Sequence, residues 1–167
     1  MIKRLCEKYL YPDGVYPSIY DIDAAALLER GISGLILDID NTLKPPGRGQ
    51  PSEQAIGWLD GLRDMGFAIC LLSNSTRGRV ARFTTGLGLF SVTYARKPAK
   101  AGFQKAVRLL GLGAGSVCVI GDQIFTDVLG AKRLGLMALY TRPITKKEEP
   151  TVRAKRLLEH FILKWRG

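Results

Sequence analysis

Short apolar runs alternate along this chain with longer stretches in which apolar positions return at helical spacing. The runs predict strands over 34–40 (GLILDID), 67–73 (FAICLLS), 91–95, 116–121 (SVCVIG) and 136–141. Between them the spacing predicts helices over about 52–64, 77–85, 101–110 and 126–134. Ser52 is placed to cap the first helix and Gly66 to stop it, while Gly86, Gly88 and Gly135 end later ones. Strand and helix in alternation mark an α/β fold, and near-continuous apolar strands such as LILDI and VCVIG imply a sheet buried on both faces. The expectation is a mainly parallel five-stranded sheet, with 32–142 as the core of one domain spanning 1–167. Helical additions are expected over 1–31 and 150–167.

The polar interruptions of these strands carry information. Asp38, Asp40, Ser73 and Asp122 each fall at or just past the C-terminal end of a predicted strand. In an open parallel sheet that edge is where ligands bind. Strand alternation would send Asp38 and Asp40 to one side. Two carboxylates held so close repel unless a cation lies between them or one keeps its proton. Magnesium, with its preference for oxygen ligands shared with phosphate, fits the first case, and a general acid that later acts as base fits the second. The plainer reading, an Asx-type turn at Asp40-Asn41, leaves Asp38 unexplained inside an apolar strand.

Other candidates follow along the chain. A hydroxyl at Ser73 suits a phosphoryl oxygen, and Asn74 suits alignment of that loop, although serines also end strands for ordinary reasons. Lys97 opens a helix after a strand and precedes Pro98, which fixes the local backbone; Lys100 is a nearby competitor. In Gly121-Asp122-Gln-Ile-Phe-Thr-Asp127, Asp122 is a candidate metal ligand, and Asp127 either ligates through water or caps the following helix. Gly111-Leu-Gly113-Ala-Gly115 is a turn, because it follows a helix and precedes a strand, the reverse of a dinucleotide-binding order.

Charge sharpens the picture. The formal net charge is +10. No acidic residue lies between Asp64 and Asp122, where eight basic residues stand, and 142–167 carries eight basic against three acidic. Such a field favours anionic partners, though a solvated basic surface has the same composition. Cys70 and Cys118 sit in apolar runs, where a thiol packs as a small hydrophobe, and three cysteines without ligand spacing argue against a disulfide framework or zinc site. With no signal-peptide pattern, the expectation is a cytoplasmic protein, with peripheral contact at the inner membrane surface as an option.

The segments DIDNTL, LLSNS, RKP and GDQIFTD, in that order, closely resemble the four motifs of the haloacid dehalogenase-like phosphatases. More narrowly, YLYPDGVYPSIYDI, DIDNTL and GDQIFTDVLGAKRLG resemble the YqeG-type branch of subclass IIIA, from about Lys8 to Arg142. The resemblance implies a Rossmann-like three-layer sandwich. It implies Asp38 as the nucleophile and a magnesium ligand. Asp40 would bind magnesium through its backbone carbonyl and act as acid and base. Ser73 and Lys97 would hold the phosphoryl group, and Asp122 would complete the metal site. Only 33 positions separate Asp40 from Ser73, and 24 separate Ser73 from Lys97, too few for a cap domain. An open site admits a large or surface-bound phosphoester. Relatives of this type include phosphatases of phosphatidylglycerophosphate, so an anionic lipid headgroup is the expected substrate, with a phosphoprotein or small ester as the alternative.

Leu158, Phe161, Ile162 and Trp165 form a helical stripe flanked by Lys155, Arg156, Lys164 and Arg166. It suits either a membrane interface or packing on the core. Leu5, Tyr9 and Leu10 are expected to cover the core. A signalling receiver is disfavoured, because no aspartate ends the second or third strand. A nucleic-acid binder is disfavoured too, because no recognition motif or stacking platform is readable.

Overall fold

The computed structural model describes residues 2–47, 49–146 and 150–165. In chain order it contains α1 (Ile2–Tyr9), β1 (Gly14–Tyr16), α2 (Ala24–Glu29), β2 (Gly34–Leu37), α3 (Glu53–Asp64), β3 (Ala68–Leu72), α4 (Arg77–Thr84), β4 (Phe90–Val92), α5 (Lys100–Leu110), β5 (Val117–Gly121), α6 (Leu129–Lys132), β6 (Met137–Thr141) and α7 (Pro150–Trp165). A wide π-type turn, Ile124–Val128, leads into α6. Three-residue 3-10 turns lie at Ile19–Asp21 and Ala114–Ser116.

The six strands are all parallel, in the order β1-β6-β5-β2-β3-β4. The sheet therefore has one strand more than expected. Gly14–Tyr16 pairs with Leu139–Thr141 at the edge, so the segment before residue 32 is not only helical. Three residues flanked by Pro12 and Pro17 are too short to show a period of two, and an edge is where a strand tolerates such flanks.

Burial on both faces follows the alternation. Leu35, Leu37, Ile69, Leu71, Cys118 and Ile120 share one core with Leu27 of α2, Leu59 and Leu62 of α3, and Val80 and Phe83 of α4. Ile36, Cys70, Leu72, Val117 and Val119 share the other with Phe103, Ala106 and Leu110 of α5 and Ala131 of α6. This is the three-layer sandwich. Burial pushes the thiols of Cys70 and Cys118 up to about 12, so they behave as hydrophobes. Ser52 caps α3, its Oγ accepting from Ala55 N–H at 3.1 Å. Gly111 closes α5 in the left-handed conformation.

Among the described residues the chain forms only α3 between β2 and β3, and only α4 and β4 between β3 and α5, so none of them builds a cap over the sheet edge. The additions behave less simply. Leu10, Ile162 and Leu163 pack on the core, whereas Leu5, Leu158, Phe161 and Trp165 are exposed. The tail stripe is thus split between two environments. Arg166 lies outside the described residues.

Candidate active site

From β2 the chain order runs outward through β3 and β4, then jumps back to β5 and β6 on the other side. The crevice at this reversal is the binding position of a doubly wound sheet. Asp38 leaves β2 and Asp122 leaves β5, the two strands flanking it. β2 ends at Leu37, short of the predicted 34–40, although Asp38 N–H still donates to Ile120 at 2.9 Å. Strand alternation therefore does not govern Asp40, and the two carboxylates find different cations.

Lys97 Nζ donates to Asp38 Oδ1 and, at 2.7 Å, to Asp127 Oδ1. Burial alone would favour the neutral amine, but Asp127 and Asp38 outweigh it and hold the Lys97 pKa above its ordinary value. For Asp38 burial is the largest influence; Lys97 opposes it, Asp127 reinforces it, and the carboxyl is pushed up to about 6. Asp122 is fully buried, and burial, then Asp38 and Asp127, raise it well above the usual range against the pull of Arg156. Thr42 Oγ1 lies 3.1 Å from Asp38 Oδ2 and 3.3 Å from Asp122 Oδ1.

Oxygens of Asp38, Asp122 and Asp127 lie within 4.8 Å of one another, all three residues buried. Lys97 and Arg156 supply two positive charges against three carboxylates, so the site is short of one positive charge on its own residues. A hard divalent cation with oxygen ligands fits such a donor set. Asp127 is the most engaged of the three, since its Oδ2 also accepts from Gln123 N–H at 3.1 Å. Gly121 permits this approach, because a Cβ there would meet Asp127 Cγ at 2.4 Å.

Asp40 stands apart, its Oδ1 on Lys44 Nζ at 2.6 Å and its Oδ2 accepting from Ser75 Oγ at 3.2 Å. Ser73 is buried and its Oγ accepts from Ser75 N–H at 3.1 Å, which leaves its own proton to donate. Asn74 Oδ1 accepts from Lys97 N–H at 2.7 Å, tying the end of β3 to the segment that carries the lysine. Asn41 adopts φ 69°, a left-handed turn that asparagine tolerates, and its side-chain amide donates to the Thr145 carbonyl and accepts from the Thr145 N–H.

The sequence reading missed Thr42, Lys44, Ser75, Arg156 and Glu159. Arg156 of α7 donates to the carboxylate and to the backbone carbonyl of Asp122, and its Nη1 also meets Glu159 Oε2 at 3.0 Å. Glu159 Oε1 accepts from Ile124 N–H at 2.7 Å and Phe125 N–H at 3.3 Å. Burial raises the Glu159 carboxyl, with Arg156 and these amides opposing. Lys44 was within reach of a reading, standing four residues from Asp40. Arg156 was hidden among other tail cations.

A capless, doubly wound sheet with buried aspartates and a lysine at its switch point is the framework of a phosphoryl-transfer enzyme. The chain belongs to the haloacid dehalogenase-like hydrolases: that family's profile matches residues 46–135, and the relatives extend the match to the first motif. It is 33% identical over 159 residues to "Probable phosphatase YqeG" of Bacillus subtilis, covering 95% of this chain and 92% of that protein. It is 29% identical to "Phosphatidylglycerophosphate phosphatase 1, chloroplastic" of Chlamydomonas reinhardtii, covering 89% of this chain and 60% of the relative. Among solved structures, the cobalt-bound deoxy-D-mannose-octulosonate 8-phosphate phosphatase of Haemophilus influenzae superposes with a TM-score of 0.57 at 16% identity, over 83% of this chain and 90% of that one, a likeness of fold. The protein is a phosphatase of the YqeG type.

Proposed function

We propose that residues 1–167 work as one magnesium-dependent phosphatase that hydrolyses phosphatidylglycerophosphate through an aspartyl-phosphate on Asp38. The observation that carries the mechanism is the buried Asp38 carboxylate beside Lys97, with Thr42 and Asp122 on its other side. Asp38 attacks phosphorus, the bond to the leaving oxygen breaks, and Asp40 gives that oxygen its proton. Asp40 then takes a proton from water, which attacks the phosphoaspartate and releases phosphate and free Asp38. Lys44 and Ser75 fix the Asp40 carboxyl for both transfers. Lys97 orients Asp38 and neutralises phosphoryl charge, Ser73 donates to a phosphoryl oxygen, and Asn74 holds the Lys97 backbone in place. Asp38, Asp122 and the backbone carbonyl of Asp40 would hold magnesium, which supplies charge neutralisation at the phosphoryl group, while Asp127 acts from behind through Lys97.

Support for the lipid comes from the uncapped edge, the basic charge and the name of the Chlamydomonas relative. The exposed part of α7 adds to it: Phe161 is 59% and Trp165 72% exposed, and Lys155 of the same helix is exposed as well. An aromatic and basic helix face of this kind suits the interface of an anionic membrane. Among the described residues no helix is long and apolar enough to cross one, so peripheral contact at the cytoplasmic surface is the mode proposed.

The test is turnover of purified protein with magnesium on vesicle-borne phosphatidylglycerophosphate, a phosphoprotein and a sugar phosphate. Preference for the lipid is expected. Rapid turnover of another substrate beside negligible lipid turnover overturns the substrate and leaves the mechanism standing.

A further inference from the structure

Resting on the lipid reading, we infer a second anion subsite: the cleft between the β6 end of the sheet and α7 holds the phosphodiester of the substrate while its terminal phosphomonoester reacts at Asp38. The cleft encloses about 1240 Å3. Arg142, Lys146, Arg153, Arg156 and Lys164 line it, against Glu159 as its carboxylate. That carboxylate is already committed to the amides of Ile124 and Phe125 and to Arg156, so it offers little opposition to an incoming anion. Arg142, Lys146, Arg153 and Lys164 are exposed and form no ion pair with a described residue. A convex surface with these charges would be solvated and uninformative; a concave one with an excess of positive charge among its described residues focuses its field on a ligand.

The cleft also adjoins the reacting centre. Arg156 is part of its lining and touches the Asp122 carboxylate, so one guanidinium separates the two sites. A substrate with two phosphates a few bonds apart matches that juxtaposition, and a simple monoester uses one half of it. The diester is the shared chemistry of a lipid headgroup and of its deacylated form, and the acyl chains are not required for the contact.

Binding of two probes that carry the diester and no monoester tests this directly: dihexanoyl phosphatidylglycerol and deacylated glycerophosphoglycerol, titrated calorimetrically. The double variant Lys146→Gln/Arg153→Gln removes two cleft charges without touching Asp38, Asp122 or Lys97. It should bind both probes about tenfold more weakly than wild type. The ratio of kcat/KM for short-chain phosphatidylglycerophosphate to that for glycerol 3-phosphate should fall by a similar factor. Lys105→Gln/Arg108→Gln, on α5 away from the cleft, should leave both readouts at wild-type values. Equal probe affinity in wild type and cleft variant, or no binding by wild type, overturns the subsite even if lipid turnover is fast. Weak wild-type turnover of the lipid relative to glycerol 3-phosphate instead defeats the lipid reading, whatever the probes show.

Discussion

Lys97 lies between two buried carboxylates, and its removal leaves Asp38 and Asp127 facing each other without a cation. Lys97→Met should destabilise the metal-free protein by about 3 kcal/mol in denaturant unfolding, the scale for one lost partner of a buried pair. Adding Asp127→Asn should recover part of that loss; no recovery would mean that Asp127 is not the repelling group. Asp38 makes a second prediction. Its carboxyl is raised to about 6 from an ordinary 3.8, so between those values the folded protein keeps a proton that the unfolded chain has released. Its contribution to stability therefore falls as pH rises through that window, and a metal must displace the proton there. Magnesium affinity should weaken as pH drops through about 6, with proton release seen as buffer-dependent heats. A flat affinity between about pH 5 and 7 contradicts this. The aspartates were legible because they end or interrupt apolar runs, and Lys97 because it follows a strand and precedes Pro98, although it lies in the turn before α5 and Lys100 opens the helix. Thr42 and Ser75 were not, since hydroxyls in a loop carry no pattern that says which carboxylate they face.

At the scale of elements, strands buried on both faces were readable from their unbroken apolar runs. β1 escaped because three residues at a sheet edge cannot display a period. α7 was misjudged in a more instructive way. Its stripe of Leu158, Phe161, Ile162 and Trp165 looked like one face, but the helix turns Glu159 inward along with Ile162 and Leu163. A buried glutamate is acceptable there because it receives two backbone amides from a turn distant in sequence and a guanidinium from Arg156, one turn back on the same helix. Arg156 holds Oδ2 of Asp122 while Oδ1 faces Thr42, so the helix orients a candidate metal ligand. Arg156→Gln should lower magnesium affinity by about tenfold, the usual loss when such a supporting partner is removed, and Arg156→Lys should restore part of it. Unchanged affinity would reduce α7 to a packing element. The wide turn at Ile124–Val128 was legible only as the start of a helix, because its geometry is set by Asp127 and Glu159 rather than by propensity.

For the whole molecule, on the proposed lipid reading, a net charge of +10, an uncapped edge and an exposed aromatic face on α7 act together at an anionic surface. Phe161→Ser/Trp165→Ser should weaken sedimentation with phosphatidylglycerol-containing vesicles while leaving turnover of glycerol 3-phosphate in place. Raising salt should weaken the vesicle contact of the wild type as well, because the screening length falls from about 10 Å at 0.1 M to about 3 Å at 1 M. Equal loss on the soluble ester would show that the face supports folding. The fold class and the edge that gathers the candidate site followed from sequence pattern, whereas the division of α7 into a face toward Asp122 and a face toward solvent required the third dimension. The proposed covalent role of Asp38 has the most direct test. Wild-type protein mixed with magnesium and substrate labelled in its terminal phosphate, then quenched in acid, should carry label on the peptide containing Asp38, and Asp38→Asn should carry none and turn over more than about a thousandfold more slowly. Label on another residue, or undiminished turnover in Asp38→Asn, would contradict the mechanism.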